Sequence, residues 1–197
     1  MASGARSIAE GEVEVSPSQI RDVSGQLNAL FIPMLHDGVT SDVIVYLDSP
    51  LTGSVGQPSC GPSAFNSVES LSATRAFGSA QVLDNNLRLQ AQWLPPGNVC
   101  YFVNGTQEDF VPVVPGSSGF LCVGGGLGRH SAPGSIGVAS AQGQFELLLD
   151  LMALPGPSGL AAALPGESRT FQAWYRDVAP DGTPTSQFTD AVTVLFE

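Results

Sequence analysis

The sequence predicts an all-β chain folded as a β-sandwich or jelly roll of mostly antiparallel strands, with little helix. Three observations predict it. Apolar residues alternate with polar ones at period two in short stretches, Gly, Pro, Asn and Asp punctuate those stretches closely, and helix evidence is thin, since 143–153 could be read at period 3.6 but Phe145 to Leu151 fits period two better. The composition is that of a folded chain: 43% of the 197 residues are hydrophobic, whereas a disordered polymer would be poorer in Val, Leu and Phe.

In chain order, the first candidate strands are 12–15, 27–32 and 42–47, with His36-Asp37-Gly38 reading as a hairpin or loop turn between the last two. A further candidate covers 68–73. After the turn Asp84-Asn85-Asn86, Leu87, Leu89, Ala91 and Trp93 alternate with Arg88, Gln90 and Gln92. Strands at 99–103 and 120–123 follow. Phe145, Leu147, Leu149 and Leu151 alternate as well, and Leu148 between them predicts a strand covered on both faces. Residues 160–164 are fenced by Gly159 and Pro165-Gly166, leaving room for one helical turn at most. Phe171, Ala173 and Tyr175 make one face of the next strand and Thr170, Gln172 and Trp174 the other. Val192, Val194 and Phe196 form a final strand.

Gly53, Gly56, Pro58 and Gly61 crowd into residues 50–62 and suggest a boundary. The expected organisation is an N-terminal extension of added strands over 1–57 and a β-sandwich module over 58–197. The segment before the boundary is too short to bury a core alone.

Charge excludes several functions. Seven arginines, no lysine and eighteen carboxylates give a net charge of −11. Without basic clusters the chain is not expected to bind nucleic acid, which relies on Lys and Arg to release phosphate counterions. The missing lysine removes Schiff-base chemistry, P-loop phosphate binding and a serine–lysine dyad. No run of 18 apolar residues occurs, so no membrane insertion is expected. Residues 1–10 lack the apolar core of a signal peptide.

Candidate sites are sparse. Gly124-Gly125-Gly126-Leu127-Gly128 is followed by Ser131-Ala132-Pro133-Gly134, which cannot open a helix long enough to present N–H groups to phosphate. It reads as a tight loop. His36 and His130 are the only histidines, and no GxSxG elbow is present. Asp177, Asp181 and Asp190 surround the loop 176–188 and are the candidate calcium ligands, since calcium takes loop carboxylates and carbonyls. Trp93, Trp174 and Tyr101 are the candidate carbohydrate-stacking aromatics, although each lies in an alternating stretch where core packing is the default. Cys60, Cys100 and Cys122 leave at least one thiol unpaired. From spacing alone they are either three buried thiols or include a Cys60–Cys122 bridge, worth roughly 4 kcal/mol in chain-entropy terms.

From Cys60 onward the chain resembles an uncharacterised β-rich module found at the C-terminal ends of large secreted bacterial proteins. The resemblance rests on Ser59-Cys60-Gly61, Phe65-Asn66-Ser67, Asp84-Asn85-Asn86-Leu87, Leu94-Pro95-Pro96-Gly97 and Tyr101-Phe102. It continues through Gly119-Phe120-Leu121-Cys122-Val123-Gly124-Gly125, Phe171-Gln172-Ala173-Trp174-Tyr175-Arg176-Asp177 and Thr185-Ser186-Gln187-Phe188-Thr189-Asp190-Ala191-Val192. It implies export and a Cys60–Cys122 pair, and no catalytic mechanism. Cys100 departs from the pattern, where a small residue is usual. A shorter stretch, Ile20-Arg21-Asp22-Val23 with Ser41-Asp42-Val43-Ile44-Val45-Tyr46-Leu47-Asp48-Ser49-Pro50, resembles part of a proprotein-convertase P-type β-sandwich.

The expected function is a non-catalytic structural, anchoring or interaction module of an exported or cell-surface protein. Glu12-Val13-Glu14-Val15 is a candidate for pairing with another copy's sheet edge. The alternative is a carbohydrate-binding sandwich, assisted by calcium, and no other cofactor is expected.

Overall fold

The computed structural model of the chain describes residues 29–36, 39–46, 54–112 and 114–197. The candidate strand at 12–15 and the stretch 20–23 lie outside them. The chain divides into two units, residues 1–52 and 53–197. In the first, β1 (Ala29–His36) and β2 (Val39–Tyr46) form an antiparallel hairpin running from the pair Ala29–Tyr46 to His36–Val39.

The second unit carries the remaining strands: β3 (Ser54–Val55), β4 (Gln57–Ser59), β5 (Ala73–Phe77), β6 (Arg88–Gln92), β7 (Val99–Gly105), β8 (Gln107–Val111) and β9 (Leu121–Gly124). They continue with β10 (Gly128–Arg129), β11 (Ile136–Val138), β12 (Phe145–Leu148), β13 (Leu154–Gly156), β14 (Gly159–Ala161), β15 (Ser168–Val178) and β16 (Pro184–Leu195). The all-β prediction holds. One six-stranded sheet has the order β10-β7-β15-β16-β4, with β11 also pairing β7, and a four-stranded sheet runs β12-β6-β5-β3.

The core lies between these sheets because each contributes one alternating face. Leu87, Leu89 and Ala91 from around β6 meet Phe102 of β7, Phe171, Ala173 and Tyr175 of β15, and Val192, Val194 and Phe196 at the chain's end. Each of these is at most 1% exposed, and a large aliphatic or aromatic side chain contributes about 1.5–3 kcal/mol when fully buried. Gly137 of β11 lets this layer close. A Cβ there would stand 2.2 Å from the Phe145 ring.

Three local expectations change. Leu148 is 64% exposed, so the strand at Phe145–Leu148 is covered on one face only. It ends at Leu148, and Leu149 and Leu151 reach the core from the turn beyond it. Residues 159–161 form β14, hairpin partner of β13, because Gly156 and Gly159 allow a tight reversal. Of 68–73, only Ala73 enters a strand. Residues 66–70 instead wrap the Asn66 side chain, whose Oδ1 accepts the N–H groups of Val68 and Ser70.

Candidate functional site

The outer face of the six-stranded sheet is divided in two. Over one half lies the β8–β9 hairpin, which folds back from β7 at Gly105. A Cβ on Gly105 would lie 2.1 Å from the Gly124 carbonyl oxygen, so no side chain fits. Gln172 of β15, fully buried, holds the hairpin down. Its Oε1 accepts the Cys122 N–H at 2.9 Å, and its Nε2 donates to the carbonyls of Thr189 at 2.7 Å and Phe120 at 3.2 Å. The disulfide Cys60–Cys122 ties β9 to the end of β4 across the sheet, with Cα atoms 6.1 Å apart. Cys100, the remaining cysteine, faces the core. Burial pushes its thiol up to about 12, so it packs as a protonated apolar group.

The other half of that face is open. Tyr101 and Trp174, opposite each other on β7 and β15, bring their ring centroids to 4.8 Å. The Arg176 guanidinium lies 5.6 Å from the Trp174 ring centre. Val99, Ile136 and Val138 extend the strip to the sheet edge, since Ile136 pairs with Tyr101 and Val138 with Val99. The outer face of the four-stranded sheet is different: Gln90 and Arg88 there engage Glu146.

Among the sequence-chosen aromatics, the structure joins Tyr101 and Trp174. Trp93 stands apart from them at the end of β6. Its backbone takes φ 57°, and its carbonyl accepts from Asn66 Nδ2 at 2.8 Å.

The three candidate aspartates are not brought together. Asp177 is buried and accepts the Ser67 N–H through both oxygens. Asp190 is buried against Arg75, whose Nη1 lies 2.8 Å away, and accepts the Thr74 N–H at 2.6 Å. Burial raises its carboxyl above the usual range, while Arg75 and the Thr74 N–H act in the opposite direction. Asp181 is exposed, and the Thr183 N–H it accepts lowers its carboxyl. Among the described residues no three His, Cys, Asp or Glu side chains form a metal-holding group.

Sequence reasoning missed a buried polar chain at the β7–β15 end of the sandwich. Arg169, ion-paired with Glu167, donates to Asn104 Oδ1 at 3.2 Å. Arginine only donates, so this contact fixes the Asn104 amide with Nδ2 toward His130 Nε2, 3.0 Å away, and the Pro155 carbonyl. His130 therefore accepts at Nε2 and is neutral. Its burial lowers the pKa to about 4. No signal local to Asn104 marks the chain, because His130 lies 26 positions from it and Arg169 lies 65.

This geometry has a measurable consequence. An unfolded histidine titrates near 6.5 and the folded one near 4. Between those values the unfolded chain holds more protons, so the contribution is complete above pH 6.5 and falls away toward pH 4. The loss across that window is expected to reach about 3 kcal/mol. Urea unfolding of the wild type and His130→Gln from pH 4 to 7 checks it: the substitution should flatten this part of the profile, and parallel profiles would contradict the assignment.

No family model, curated protein or solved structure matches this chain. No helix among the described residues is long and apolar enough to cross a membrane.

Proposed function

We propose that the chain is a non-catalytic structural or interaction module of an exported or cell-surface protein, and that it works through the open half of its six-stranded sheet. The observation that carries this reading is the contiguous apolar and aromatic strip in which Val99, Ile136 and Val138 are exposed and Tyr101 and Trp174 half-buried, beside a half that is covered and pinned. Exposed apolar patches of this kind mark interaction sites. The Cys60–Cys122 disulfide supports export, since such bridges persist in oxidising compartments. The resemblance of 58–197 to modules ending large secreted proteins points the same way.

Retention tests the reading. Expressed in its native host, the wild-type chain is expected in the cell-surface fraction, and the double variant Tyr101→Ala/Trp174→Ala, shown by near-UV circular dichroism to be folded, in the medium. Equal distribution of the two would contradict it.

The tilted Tyr101–Trp174 pair with Arg176 alongside favours carbohydrate as a second ligand class, because sugars take an aromatic face flanked by hydrogen-bond donors. Soluble glycans, titrated with and without a calcium chelator, should then shift Trp174 fluorescence. Under this reading a Trp174→Ala variant loses the response and Trp93→Phe keeps it.

A further inference from the structure

The six-stranded sheet ends on two unlike edges. On one side β4 reads Gln57-Pro58-Ser59, and Pro58 has no N–H to offer another strand. On the other, β7 is flanked by β10, whose Arg129 is exposed, and by β11, which reads Ile136-Gly137-Val138 with neither proline nor charge. Natural sheet edges are usually guarded by charge, proline or a cover, and an unguarded edge is a template for another strand. Ile136 and Val138 are 48% and 57% exposed, and Val99 beside them is 41% exposed. Directly opposed residues of an antiparallel pair share a face, so these three line one side of the edge together.

Charge selects the occupant. A net charge of −11 makes most surfaces of this chain repel a second copy. Yet none of the eighteen carboxylates falls within residues 85–107 or 110–145, the stretches that contain β6, β7, β9, β10 and β11. β11 and the stretch of β7 it pairs with carry no carboxylate, so like-charged copies can approach along this edge through the exposed Ile136, Val138 and Val99. It is also self-complementary. A two-fold axis through Gly137 sets Ile136 of one copy against Val138 of the other, on the same face of a continuous sheet.

We propose that a second copy of this chain docks at β11, edge to edge and antiparallel. This rests on the interaction-module reading and names its partner.

Light scattering of the full chain over a dilution series tests it. The wild type is expected to pass from dimer to monomer on dilution. Ile136→Glu and Val138→Glu should each move the midpoint to higher concentration by roughly tenfold or more, and Leu160→Glu, at an exposed hairpin tip, should leave it in place. Near-UV circular dichroism checks folding. If a glutamate variant does not fold, Ile136→Thr replaces it and must move the midpoint in the same direction.

A monomer at every concentration, or a dimer whose midpoint ignores the β11 substitutions, overturns the proposal. So does a peptide or glycan that protects the β11 amides of a chain that stays monomeric. A monomer still retained at the cell surface overturns this inference alone, whereas a β11 dimer found only in the medium counts against the interaction reading at the surface and leaves the dimer standing.

Discussion

Removing the Cys60–Cys122 bridge, by reduction or as Cys60→Ser/Cys122→Ser, is expected to lower stability by about 4 kcal/mol. The bridge closes a 62-residue separation, and chain-entropy loss in the unfolded state scales with the logarithm of that loop. The damage should be local first. The β8–β9 hairpin would keep Gln172 as an anchor and lose its tie to β4, so its amides should exchange before those of β15 and β16. Chemical denaturation with and without reductant gives the first quantity and hydrogen exchange the second. Unchanged stability, or uniform loosening of both sheets, would contradict this role for the bridge.

The second large effect belongs to Asp190. Asp190→Ala leaves Arg75, whose side chain is 16% exposed, without its carboxylate, and leaves the Thr74 N–H without an acceptor. Breaking a buried pair from one side costs about 3–5 kcal/mol, because the remaining charge stays desolvated. Asp190→Asn should cost less, since an amide oxygen can still accept from Thr74. Urea unfolding of both variants at neutral pH measures the difference, and equal stability of Asp190→Ala and wild type would remove Asp190 from this structural role. The same residue shows why a calcium reading is natural in the sequence. An aspartate flanking a loop that also carries Asp177 and the Asp181-Gly182 turn suggests a ligand, and only tertiary structure brings Arg75, 115 positions away, to its carboxylate.

The fold was legible wherever burial imposed period two. Leu87, Leu89 and Ala91, then Phe171, Ala173 and Tyr175, then Val192, Val194 and Phe196 all face the core as their alternation predicts. Alternation gave less where a strand ends early: Leu148 is exposed, and Trp93 sits at a positive φ beyond β6. The open strip was half legible. Tyr101 and Trp174 stood out as aromatics, but Val99, Ile136 and Val138 resemble any core residue until β11 is seen to lie at the sheet edge. Gln172 read as a member of the strand's second face, with Thr170 and Trp174. It points outward, into a surface that the hairpin then covers.

Hydroxyl-radical footprinting of the full chain, on cells and purified at low concentration, tests most directly the claim that one open half-face does the work. Protection is expected on cells at Tyr101, Ile136, Val138 and Trp174, with Leu148 on the other sheet reacting equally in both states. Protection centred on Leu148 with the Tyr101–Trp174 strip unchanged would contradict it.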